Sequence, residues 1–270
     1  MLNSLGTGGG RTKDKIAIVI VLLALVCVSW IYLFYISNNM PNMSMSSDMR
    51  DNSMGMAAMK PNMPMPWGIN EWLTMFIMWS IMMIGMMIPS ASPMILVFDR
   101  IKRQNSNTVH SYLSTGIFVL GYVIVWTLFS VLATATNYIL HSNSLMSGMM
   151  GESTNNVLGG ILLIATGIFQ FTPIKRACLT KCRTPMGFLM TNWKDGTRGA
   201  LRMGIEHGTY CLACCWLLMG LLFVLGVMNL VWIAVLSLFV LIEKMAPKAE
   251  WISWSSGVGM LIWGACILLI

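Results

Sequence analysis

Charge is scarce in this chain: Lys, Arg, Asp and Glu make up 10% of its 270 residues, against 56% hydrophobic. A soluble domain carries about a quarter of its residues charged, so a surface facing water on all sides is excluded. Histidine is scarcer still, with three in the chain. His110 and His207 fall at the ends of apolar segments and His141 lies between two of them, so no pair stands where bis-histidine haem ligation would need it. A phosphate-binding glycine loop, a dinucleotide fingerprint and a zincin motif are all missing, which leaves no sequence basis for ATP use. The net charge of +7 does not point to nucleic acid, because the basic residues fall between apolar segments and form no patch.

What the chain does have is seven apolar segments, roughly 16–36, 72–98, 113–139, 157–174, 205–226, 228–243 and 252–270. The expected fold is all-α, a polytopic integral membrane protein with about seven transmembrane helices. At about 1.5 Å rise per residue and a hydrocarbon core of about 30 Å, the sixth segment is short and the others can span. The run from Cys211 to Ile242 is too long for one crossing, and Gly226 and Asn229 predict a tight hairpin turn at 226–229. The first segment follows Arg11, Lys13 and Lys15 as a signal peptide would. It ends in bulky aromatics where a cleavage site needs small residues, so it reads as an uncleaved anchor. With the N-terminus inside and the C-terminus outside, 15 of the 17 basic residues face the cytoplasm, and only Arg50 and Lys60 fall outside. This implies a multi-pass protein of the plasma membrane in three parts: residues 1–37, a cytoplasmic N-terminus and anchor; 38–70, an extracytoplasmic segment; and 71–270, a six-helix membrane domain.

The outer segment is rich in methionine, with nine in residues 40–65 among Pro, Asn, Ser and Gly that cannot build a core. It is expected to be flexible. Thioethers are soft ligands that bind Cu(I) or Ag(I) without losing a proton, so Met43, Met45, Met49, Met54, Met56, Met59, Met63 and Met65 are candidates for outer metal capture. A low-complexity linker or a methionine-rich interface are the plainer readings. In the second segment Met75, Met78, Met82 and Met86 share one helical face, with Met83 and Met87 beside it. Such a stripe is more often packing than a ligand path. Pro89 and Pro93 should kink or end that helix. His141, Met146, Met149, Met150 and Glu152 form a candidate second outer site.

Five cysteines fall in two groups, Cys178 with Cys182 and Cys211 with Cys214 and Cys215. Both belong to the cytoplasmic half, where thiols stay reduced, so metal or redox chemistry outranks structural disulfides. On a helix His207, Cys211, Cys214 and Cys215 form one stripe at i, i+4, i+7 and i+8. Measured along the helices, Cys214 and the pair Met82 and Met83 reach similar depths from opposite faces, so the two sets can meet near mid-membrane. The competing reading is packing, because cysteine behaves as a small hydrophobe; for the isolated Cys27 and Cys266 packing is the expectation. Glu206 and His207 beside Arg202 read either as an interfacial anchor or as a ligand and proton acceptor. Glu243 and Lys244 should pair or face the interior, since an unpaired charge is costly in a membrane.

Three blocks carry a family resemblance: "MIGMMIPSASPM", "QFTPIKRACLTKCRTP", and "GIEHGTYCLACCWLLMGLLFVLGVMNLVW" followed by "EK". Over roughly residues 72–265 the chain resembles the family called domain of unknown function 2182, predicted metal-binding integral membrane proteins. The resemblance implies that Cys178, Cys182, Cys211, Cys214 and Cys215 form a metal site, with Met86 and Met87 in a methionine block. Gly85 and Ala213 stand where alanine and glycine are expected, changes of small for small. The methionine-rich segment lies outside the matched region. The reading is a membrane protein that binds and handles a soft metal, copper as Cu(I) first and zinc or another soft metal second, with transport or delivery as its forms. Catalysis is not required by any motif. Its partners would be the metal ion, the lipid bilayer, other membrane subunits or a periplasmic or extracellular copper protein, and no nucleic acid. The alternatives are an accessory subunit of a larger complex such as a membrane copper enzyme, and a membrane thiol oxidoreductase.

Overall fold

A computed structural model describes residues 8–51, 68–105, 108–142, 146–147, 152–153, 156–247 and 249–269. The apolar runs fold as helices: α1 Gly8–Asp51, α2 Ile69–Asn105, α3 Thr108–Ser142, α4 Asn156–Gln170, α5 Pro173–Arg183, α6 Pro185–Asn192, α7 Gly196–Gly220, α8 Leu222–Leu225, α9 Leu230–Met245 and α10 Ala249–Leu269. The only strands among the described residues are two of two residues each, β1 Met146–Ser147 and β2 Glu152–Ser153, joined antiparallel.

Five helical stretches are each long and apolar enough to cross a membrane: Lys15–Asn39, Ile69–Gln104, Ser111–Ser142, Gly196–Leu225 and Ala249–Leu269. Val157–Gln170 and Pro173–Arg183 add a sixth if the pair, bent by 66°, counts as one span. The short sixth segment of the sequence becomes α9, whose 16 residues extend only about 24 Å. The hairpin turn falls where expected. Gly226 takes a positive φ of 93° as the cap of α8, and the Asn229 side chain accepts from the backbone amides of Val231 and Trp232 to start α9.

The structure settles three helix ends that the sequence left open or read otherwise. Pro89 and Pro93 do not end α2, which runs through both to Asn105. Burial on the helix's inner face holds it together across the lost backbone bonds, and Ser90 and Ser92 take up the carbonyls of Met87 and Pro89. Cys178 and Cys182, which follow the fourth segment, sit on a helix of their own, α5. Thr172 accepts from the Lys175 amide and Pro173 occupies the first helical position, a combination that restarts a helix at a new angle. Finally, α1 continues to Asp51, so the first part of the methionine-rich segment prolongs the helix where flexibility was expected. Between Met43 and Asp51 there is neither glycine nor proline to stop it. Met54, Met56, Met59, Met63 and Met65 lie outside the described residues.

Close approach of helix backbones sets the interior. A Cβ on Gly204 of α7 would lie 2.1 Å from the Phe118 carbonyl oxygen of α3, and one on Gly121 of α3 would lie 2.4 Å from the Leu201 carbonyl oxygen. Gly160 and Gly264 bring α4 and α10 together in the same way, each facing the other's carbonyl. Small residues of this kind are how helices associate where lipid removes the hydrophobic drive. Against the α3 and α7 pair, α2 buries Met75, Met78, Trp79, Met82, Met83, Met86 and Met87 almost completely. Trp251, Trp254 and Trp263 of α10 are exposed, as are Ile31, Phe34 and Tyr35 of α1, the apolar exterior that a bilayer accepts.

Candidate metal centre

Four thiols meet inside this helix packing. Cys211, Cys214 and Cys215 point from α7 into the interior, each no more than 1% exposed, and Cys182 of α5 joins them. Cys182 lies against the Cys211 and Cys214 thiols, and Cys215 against the same two. The Cys214 and Cys215 thiols each also donate to the Cys211 carbonyl, at 3.0 Å. The amphipathic break at Phe171 and Thr172 makes this meeting possible, because it turns α5 back so that its buried face, Lys175, Leu179 and Cys182, lies on α7. Cys178, one turn earlier on α5, is only half-buried and interacts with Cys214. All seven cysteines are free. Cys27 and Cys266, expected to pack, are exposed. In hydrocarbon an uncharged thiol needs no interior burial, so an outward position is tolerated.

Around the cluster stand groups that spacing alone did not bring in. The Lys244 ammonium of α9 lies 2.8 Å from Cys211 Sγ and donates to Ser90 Oγ at 3.1 Å. The Tyr122 hydroxyl lies 3.1 Å from the same sulfur and 3.2 Å from the Met87 carbonyl oxygen, which ties the α2 methionine block to the thiols through α3. Tyr122 gave no sequence signal of its own, being one aromatic in an apolar run. Lys244 was visible as a charge within an apolar stretch, with its partner unnamed.

Glu243 and Lys244 do not pair with each other as one reading had it. Glu243 turns to Lys175, 2.7 Å away, and accepts from Ser253 at 2.5 Å; Lys175 also donates to Gln170. Helical spacing explains the divergence, since adjacent residues point about 100° apart and face different neighbours.

Glu206 and His207 likewise separate. Glu206 is at the surface with Lys194 at 2.5 Å and Arg202 at 3.2 Å. His207 turns inward, 3% exposed, among the rings of Phe118, Tyr122 and Phe188 at centroid distances of 6.1, 5.7 and 5.8 Å. Its Nδ1 is buried without a hydrogen-bond partner, an arrangement that normally costs about 1–3 kcal/mol. It lies one helical turn from Cys211, as the stripe predicted.

Met82, Met83, Met86 and Met87 are all buried on α2. Met87 reaches the site through its backbone carbonyl, which accepts from Tyr122, while the Met86 carbonyl accepts from Ser237 of α9 at 3.5 Å. At the other end of the stripe the Met75 sulfur accepts from Asn137 at 3.6 Å. Between α3 and α4 Met146 pairs with Ser153 and Ser147 with Glu152, while Met149 and Met150 lie outside the described residues. Met43, Met45 and Met49 fall on the last turns of α1.

Among the described residues no three His, Cys, Asp or Glu side chains stand in ready metal-binding geometry. The Cys214 and Cys215 thiols donate to the Cys211 carbonyl, so holding an ion requires them to re-aim about their χ1 angles. The donor set itself is soft, sulfur only, and sealed from water, which suits a monovalent soft cation.

No curated protein and no solved structure matches the chain. The family of PpoB2 copper chaperones matches residues 76–267, a stretch that holds all three motif blocks, both cysteine groups and Lys244. With that match over well more than half its length, the chain belongs to the PpoB2 copper chaperone family.

Proposed function

We propose that this protein receives Cu(I) as its cargo within the membrane and holds it among Cys182, Cys211, Cys214 and Cys215 for delivery. The observation that supports this most is the contact between Cys182 of α5 and the α7 thiols, two elements whose convergence sequence spacing alone does not require. Sulfur-only coordination in a dry site favours Cu(I) over harder ions, and a thiolate among apolar side chains is tolerable once a cation neutralises it. His207, with its unpartnered Nδ1, lies within reach as a further ligand at the inner side of the cluster. The buried methionines of α2, from Met75 to Met87, give a soft-lined approach from the outer side. Met43, Met45, Met49, Met54, Met56, Met59, Met63 and Met65 would capture the ion first.

In this reading the chain is a multi-pass protein of the plasma membrane, with the methionine-rich segment outside and the basic loops inside. A copper protein or a larger membrane complex takes the ion onward. The test is metal analysis of purified protein loaded with Cu(I) or Ag(I), comparing wild type with a Cys182→Ser, Cys211→Ser double variant. Loss of most bound metal from a protein that still folds is expected. Unchanged metal content would overturn the reading.

A further inference from the structure

A fixed positive charge stands beside the thiol cluster. Lys244 is 8% exposed, and its ammonium is pinned between Cys211 Sγ at 2.8 Å and Ser90 Oγ at 3.1 Å. Ser90 is itself anchored through its hydroxyl to the Met87 carbonyl at 2.9 Å, so it offers the lysine a lone pair in a set direction. The nearest acidic residue in sequence, Glu243, is committed to Lys175 and Ser253. Among the described residues no carboxylate is within ion-pair distance of Lys244. The site therefore carries a buried ammonium that has a sulfur, and no carboxylate among the described residues, as its near neighbour.

We propose that Lys244 is the valence-selecting residue of the thiol site, its ammonium against Cys211 disfavouring divalent ions and reserving the cluster for a monovalent soft cation. This rests on the copper-holding reading and adds a determinant of specificity to it. An ion bonded to the Cys211 sulfur lies within a few ångströms of the ammonium, given metal to sulfur bonds of about 2.3 Å. Repulsion between fixed charges scales with the charge of the ion, so for one and the same set of thiolates a dication suffers twice what a monocation suffers. The ammonium also helps the sulfurs shed their protons, and with the same thiolates engaged that help is common to both ions and cancels in their ratio. At an effective dielectric constant of about 20 and a separation of about 5 Å, one unit of charge changes relative affinity on the order of a hundredfold. Charge, and not ligand softness, then separates two ions that thiolates bind equally well.

The experiment uses Ag(I) and Cd(II), both filled-shell and thiolate-seeking, in competition for the purified full chain, with the ratio of bound ions as readout. Lys244→Gln should raise the Cd(II) to Ag(I) binding ratio on the order of a hundredfold, and Lys244→Arg should return it to near the wild-type value. Ser90→Ala touches no sulfur and releases the ammonium from its second anchor, so it should move the ratio the same way, severalfold. A ratio in Lys244→Gln within about threefold of wild type would overturn the inference while leaving copper holding intact. If Lys244→Gln does not fold, an unmoved ratio in Ser90→Ala overturns it. Failure of the wild type to bind either ion removes the thiol site itself, and the inference with it.

Discussion

Lys175 and Glu243 lie 2.7 Å apart, each with only 1% of its side chain exposed, and they join α5 to α9 beneath the thiol cluster. The pair lies on the same buried side of α5 as Cys182, two turns along. It therefore fixes where that cysteine sits. Gln170 and Ser253 complete the network, so that all the elements leading into and out of the bend are tied to one charge pair. Breaking such a pair by removing one partner strands the other charge and costs about 3–5 kcal/mol, whereas replacing both by apolar residues is far milder. Glu243→Gln should lower the melting temperature in detergent and weaken metal retention, while Lys175→Met with Glu243→Leu should recover most of the stability. Equal stability of the single and double variants would show that the pair does not couple the two helices.

The α3 and α7 contact should be equally intolerant, for steric reasons. Gly204→Ala places a methyl 2.1 Å from the Phe118 carbonyl oxygen, a backbone atom that cannot yield without moving the helix. Parting the helices would draw Tyr122 away from Cys211. A loss of about 1–3 kcal/mol is expected, the range for overpacking. Gly116→Ala and Gly220→Ala, where an added Cβ meets nothing within 4 Å, should be near neutral in the same thermal unfolding assay.

How much of this was legible in the sequence follows from which forces act locally. The apolar segments, the hairpin turn at Gly226 and Asn229 and the stripe from His207 to Cys215 could be read directly, because helix periodicity and turn chemistry are local. The meeting of Cys182 with that stripe depends on a 66° bend after Gln170 and on glycine contacts between distant segments. A one-dimensional pattern carries neither. Pro89 and Pro93 could be read only as a kink or an end, and the helix continues because tertiary burial of α2 outweighs two missing backbone donors. Lys244 showed as a charge in an apolar run, but its partner is 33 residues away in sequence and could not be named in advance.

Side-chain accessibility tests the orientation of the chain. Single cysteines introduced at Lys181 and Lys194, in a background lacking reactive thiols, should label only from the cytoplasmic side, and cysteines at Met54 and Met149 only from outside. The distribution of basic residues is the reason, because short cytoplasmic loops retain Lys and Arg. Labelling of position 54 from the cytoplasm alone would invert the topology and put the methionine-rich segment on the side where it cannot capture external metal.

The two cysteines of α5 should differ sharply in their effect on bound metal, although the sequence presents them as a pair. Cys182 is buried against Cys211 and Cys214, whereas Cys178 is half-buried and only neighbours Cys214. An ion seated among the α7 sulfurs takes its ligand from α5 at the position already in contact, since recruiting Cys178 would require α5 to rotate and expose Leu179, which is 4% exposed. Turning a buried leucine outward forfeits on the order of 1.5–3 kcal/mol unless lipid receives it, and it would also pull Lys175 from Glu243. Cys182→Ser should therefore lose most of the bound Cu(I) or Ag(I), while Cys178→Ser retains most of it, with metal-to-protein ratio as the measurement. Thermal unfolding of the metal-free variants supplies the control, because a hydroxyl in place of a buried thiol costs some stability at 182 and little at 178. Equal metal loss in both variants would mean that the ion sits further along α5, toward Cys178, and that the four-thiol contact is packing alone.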